Sequence, residues 1–128
     1  MRRALLLPLM LAACVEAPSP GAPAEWRLAS IDGQPFAARA TIAFAPDGAQ
    51  AFGQAPCNRW SGQVTRGAGD AWSVGKVVAT EMACDQLAAE GQFFAALQAM
   101  TRQRISGDVL ELSDGAGRVM LFRPALLL

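Results

Sequence analysis

The chain predicts an α+β domain: a curved antiparallel β-sheet, built from hairpins in meander fashion and packed around one principal α-helix. Two observations carry this expectation. Short apolar runs separated by glycine-containing turn sequences fill most of the chain, and a single segment, 85–103, switches to a helical period. Size and composition bound it, because residues 25–124 make about 100 residues, enough for one domain and too few for two. With 52% apolar and 17% charged residues the chain can fill a core.

Taken in order, "WRLASI" (26–31) ends at Asp32-Gly33. "ATIAFA" (40–45) and "AQAFGQ" (49–54) flank Pro46-Asp47-Gly48, a hairpin turn in which proline fixes φ and glycine takes φ > 0. Thr41 and Ala43 alternate with Ile42 and Phe44, the pattern of a strand with one buried face. "GQVTR" (62–66) and "AWSVGKVV" (71–78) flank Gly67-Ala68-Gly69-Asp70, and "VLELSD" (109–114) and "RVMLFR" (118–123) flank Gly115-Ala116-Gly117. Both read as hairpins, the second with Val109, Leu110 and Leu112 apolar against Val119, Leu121 and Phe122. In the helix, Leu87, Phe94, Leu97 and Met100 form a stripe that Phe93 widens, while Gln86, Glu90, Gln98 and Arg102 face elsewhere. Asp85 is its expected N-cap, and Gly91 costs about 1 kcal/mol relative to alanine.

The N-terminus stands apart from this domain. "MRRALLLPLMLAAC" sets two arginines before a short apolar run and small residues against Cys14, the order of a secretory signal peptide in residues 1–13. That run is much shorter than the roughly 20 residues a spanning helix needs. Leu11-Ala12-Ala13-Cys14 resembles a bacterial lipobox, which implies acylation of Cys14 and removal of what precedes it. Residues 14–24 then form a Pro/Ala-rich tether, with residues 125–128 as a short C-terminal tail. Val15 in place of a retaining aspartate points to the outer membrane, facing the periplasm. Removing Arg2 and Arg3 from the 11 basic side chains leaves 9 against 11 acidic ones, a net charge of −2. No positive footprint for nucleic acid results.

The chain contains no histidine or tyrosine. Imidazole-based triads, histidine metal sites and histidine pH switches are therefore excluded, and no phosphate-cradling motif or C-x-x-C pair is present. The mature domain has two cysteines, Cys57 and Cys84. In an oxidising compartment they read most simply as a disulfide, with buried free thiols, or a reactive thiol or metal site, as the alternatives. Chain entropy for such a loop is worth about 3.5 kcal/mol.

Around Cys57, Asn58 reads as a left-handed turn residue or a ligand-binding amide, and Trp60 as a core residue or a stacking platform. Ser61-Gly62 reads as a turn rather than a nucleophile. Glu81 and Glu90 could in principle pair as glycosidase carboxylates, although solvated charges near the helix start are the simpler reading. Asn58, Arg59, Trp60 and Ser61 are thus the candidate binding surface. No residue pattern calls for a cofactor or a metal.

Several of these segments together resemble the META domain, or HslJ-like, family. The likeness lies in Cys57-Asn58 followed by Ser61-Gly62, and in Thr80-Glu81-Met82-Ala83-Cys84 followed by Glu90 and Phe93-Phe94, within a span of about 25–123. The resemblance implies a small exported protein or lipoprotein with a curved sheet and one main helix, no established catalysis or cofactor, and links to stress responses. Pro56 stands where the family usually has glycine, so a loop that needs φ > 0 there could not be kept. The resulting expectation is a non-enzymatic envelope lipoprotein, tethered to the membrane through Cys14, that binds an unidentified protein or small ligand. An inhibitor-like module against a hydrolase and a thiol-dependent redox protein are the alternatives.

Overall fold

The computed structural model describes residues 24–125 and, apart from them, Ala4. Cys14, the signal sequence, nearly all of the tether and the tail after Ala125 lie outside the described residues. The strands are β1 Trp26–Ile31, β2 Gln34–Pro35, β3 Thr41–Phe44, β4 Gln50–Gln54, β5 Arg59–Arg66, β6 Trp72–Val74 and β7 Val78–Ala79. The helix α1, Leu87–Ala99, follows, and β8 Arg102–Ser106, β9 Val109–Ser113 and β10 Val119–Pro124 complete the chain.

All pairings are antiparallel, in the order β6-β5-β4-β3-β1-β10-β9-β8, with β2 against β1 and β7 against β5. The two ends of this sheet then meet. Ala71 bridges Arg102, the Trp72 N–H donates to the Thr101 carbonyl at 3.0 Å, and the Gln103 N–H donates to Asp70 at 2.9 Å. The result is a curved, nearly closed sheet whose interior is filled by Trp26, Leu28, Ile42, Trp72, Leu112 and Phe122, with Phe93 and Leu97 of α1 in the same cluster.

The three expected hairpins form, because their turns hold the required glycines: Gly48, Gly69, Gly115 and Gly117 all have positive φ. In the last turn the Asp114 carboxylate accepts the N–H groups of Ala116 at 2.8 Å and Arg118 at 3.1 Å. The Ala116 N–H is foremost in holding that carboxyl below its ordinary value, with burial opposing it.

Several local expectations change. Thr41, Ile42 and Ala43 of β3 are all buried, so this strand is covered on both faces. On the last hairpin the interior set is Leu110, Leu112, Met120 and Phe122, while Val109, Val119 and Leu121 lie half-buried on the opposite side. The helix is shorter than 85–103. It begins after Gln86, so Asp85 is not its cap, and it ends where Met100 turns extended. The chain can then pair with β9, starting with the Thr101 N–H on the Ser113 carbonyl at 2.8 Å, which converts Arg102 and Gln103 from expected helix into β8. The buried helical residues are Glu90, Phe93, Ala96 and Leu97; Leu87 is exposed and Glu90 takes its place in the stripe.

Candidate functional site

The β4–β5 connection is a tight corner. The Ala55 N–H donates to the Asn58 carbonyl at 2.7 Å, leaving Pro56 and Cys57 at the tip. Among residues 55–58 no φ is positive, so proline is accommodated here and Asn58 is not a left-handed turn residue. Cys57 is disulfide-bonded to Cys84 across a Cα separation of 5.7 Å, which fastens this corner to the segment leading into α1. Bonded to each other, neither sulfur is a free thiol or a metal ligand.

Behind the disulfide lies a buried polar junction. Glu90, 6% exposed, points its carboxylate at the corner: Oε1 accepts the backbone N–H groups of Cys57 at 3.0 Å and Asn58 at 2.8 Å, and Oε2 accepts Asn58 Nδ2 at 2.7 Å. Asn58 Nδ2 also donates to the Met82 carbonyl at 3.0 Å, while its Oδ1 accepts from Thr80 Oγ1 at 2.9 Å and the Met82 N–H at 2.7 Å. One side chain thus meets the backbone of residue 82 on both its donor and acceptor sides, as a neighbouring strand would. Every polar atom of the Asn58 amide is engaged within the protein, so it is a structural clamp with no capacity left for a ligand. The carboxylate pair imagined from sequence does not form a site, since Glu81 is exposed and Glu90 is buried in this junction.

Trp60 points inward. It is 3% exposed, its Nε1 donates to the Thr41 carbonyl at 3.1 Å, and its ring meets Phe93 edge-on with centroids 5.8 Å apart. It is core, not a stacking platform on the surface. Ser61 and Gly62 are not a turn but the middle of β5. Glycine is needed there because a Cβ at Gly62 would lie 2.6 Å from Val74 Cγ2.

The remaining candidates face solvent. Arg59 is exposed, Ser61 is half-buried, and the register places Phe52, Ser61 and Val78 in one row across β4, β5 and β7. Phe52 is 42% and Val78 65% exposed. Sequence reasoning missed both, although Phe52 alternates with Ala51 and Gly53 in a manner that assigns it the outer face. Among the described residues no three cysteine or acidic side chains converge as a metal site.

Comparisons with known proteins agree with this architecture. A protein from Burkholderia xenovorans solved by NMR is 23% identical with a TM-score of 0.63, covering 94% of this chain and 100% of its own. A second NMR structure is 20% identical with a TM-score of 0.59, covering 79% and 88%. A crystal structure of a DUF4847 family protein from Bacteroides vulgatus is 18% identical with a TM-score of 0.51, covering 65% of this chain and 57% of that one. These likenesses show the fold. No curated protein matches the chain. The model of the META domain matches residues 22–125, and the chain therefore belongs to the META domain family.

Proposed function

We propose that this META domain is a non-enzymatic binding module of an exported lipoprotein, anchored through Cys14 to the cell envelope. Its place there is the outer membrane facing the periplasm, in a stress or envelope-maintenance role exerted through a partner. The observation that supports it most is the division of the candidate residues. Asn58, Trp60 and Glu90 are consumed in holding the β4–β5 corner, whereas Arg59, Ser61, Phe52 and Val78 present a mixed apolar and cationic outer face on a rigid sheet. An exposed aromatic and an arginine on a firm scaffold are the usual anchors of recognition. A corner fastened by a disulfide also suits an inhibitor of a hydrolase, and a hydrolase among the captured partners would favour that version. The thiol-redox reading has less support, because the two cysteines of the domain are joined in a structural tie.

The test is photocrosslinking in cells from a probe at Gln54, which borders this face. The wild-type chain is compared with the F52S/R59E double variant at matched abundance and matched thermal unfolding. A specific adduct that disappears in the variant is expected. An unchanged adduct pattern in the folded variant would remove this face as the binding surface.

A further inference from the structure

The outer face of β4, β5 and β7 is a trough. Ser61 forms its floor, while Phe52 on one side and Val78 on the other form its walls in a single cross-strand row. Two clefts share Ser61 and Val78. One, of about 270 Å³, reaches Arg59 and Thr80, and the other, of about 340 Å³, reaches Gln63 and Lys76. A cation therefore stands at each end. Among the described residues neither Arg59 nor Lys76 has a salt-bridge partner. On the Phe52 side a third cleft is lined by Phe52, Gln54, Arg59 and Glu25, and the Glu25 carboxylate there already faces Arg39 at 3.8 Å. Apart from these two cations, residues 24–125 carry 7 basic and 10 acidic side chains, so the trough is positive on a domain that is otherwise net acidic.

Dimensions narrow the class of occupant. The walls rise from strands two spacings apart, about 10 Å before side chains are added, so a helix of about 10–12 Å does not seat between them. An extended chain does. Gln63, which shares its cleft with Lys76, lies four residues along β5 from Arg59, a span of about 13 Å. An extended peptide covers the same distance in four residues, and its side chains at positions one, three and five all point to one face.

We propose that this trough binds an extended acidic peptide segment of the form acidic-x-apolar-x-acidic. The apolar side chain sits on Ser61 between Phe52 and Val78, and the two carboxylates meet Arg59 and Lys76. This names the partner chemistry for the face assigned above and rests on that reading. Charge complementarity supplies orientation and encounter, and the apolar row supplies buried area.

The purified protein is titrated, by fluorescence anisotropy, into an end-blocked, dye-labelled peptide carrying Asp-Ala-Leu-Ala-Glu between Gly-Ser flanks. Saturable binding is expected. It should weaken about tenfold in R59E/K76E and fall with added salt, because both contacts are exposed ion pairs. The same peptide with lysines for its acidic residues should not bind. Absence of saturable binding, or binding indifferent to the charge reversal, overturns the proposal. So does capture of phosphatidylglycerol-containing vesicles or of an oligouronate in preference to the peptide, which would reassign the trough to lipid or glycan. If the peptide fails while the cellular adduct still depends on Phe52 and Arg59, only the peptide class falls and the binding face stands.

Discussion

Glu90 is the residue on which the corner depends. Each carboxylate oxygen faces N–H donors only, so replacing either oxygen with an amide nitrogen sets donor against donor. Glu90→Gln should therefore lower stability by about 2–3 kcal/mol in urea unfolding, although it is nearly isosteric. The exposed Glu81→Gln should stay within about 0.5 kcal/mol of the parent. Equal effects would show that the charge of Glu90 is not what the corner requires. This role was not legible in the sequence. A carboxylate on a helix is solvated unless its donors come from elsewhere, and here they come from a turn 32 residues earlier. The cysteines were legible, since an even pair in a domain expected to be exported reads most simply as a disulfide, and Cys57 and Cys84 are bonded. Asn58 was singled out as a turn residue or a ligand-binding amide and is instead a clamp, because the partners of its amide are supplied only by the folded chain. For Trp60 the core reading holds, and only its place on the binding surface falls.

At the level of elements, turn chemistry made the β3–β4, β5–β6 and β9–β10 hairpins readable, and apolar spacing made α1 readable. β8 was not, because four of its five residues are polar and its one apolar residue, Ile105, is exposed, leaving no apolar alternation to detect. What distinguishes it is pairing with β9, a property of two segments together. Two glycines illustrate the difference between an element's interior and its surface. A Cβ at Gly53 would stand 2.2 Å from the Thr41 carbonyl oxygen, a backbone atom held by the sheet, whereas a Cβ at Gly91 on α1 meets nothing within 4 Å. Gly53→Ala should cost about 3 kcal/mol or prevent folding, through strain in a packed region. Gly91→Ala should raise stability by about 0.5–1 kcal/mol through helix propensity. Chemical denaturation of the two variants side by side checks both signs. A tolerated Gly53→Ala would mean that β3 and β4 can separate without loss.

For the whole molecule, the disulfide joins the sheet to the helix entry over a sequence separation of 27. C57S/C84S should lose about 3 kcal/mol, seen as an earlier denaturation midpoint, and the parent should show the same loss under reducing conditions. Equal midpoints for the oxidised and reduced parent would mean that the Asn58 and Glu90 junction holds the corner unaided. The overall α+β architecture was predicted from sequence, but closure was not. No local pattern announces that Ala71 will meet Arg102, or that the first strand will lie beside the last.

That last adjacency governs the order in which the fold can be completed. β1 sits between β3 and β10, and the carbonyl of Glu25 accepts the N–H of Ala125 at 2.9 Å. A chain that emerges from a ribosome or a translocation pore N-terminus first therefore exposes one edge of its opening strand until nearly all of the domain is out. The nascent protein spends its synthesis as an unsealed sheet, vulnerable to wrong partners along that edge, and seals only when the final segment arrives.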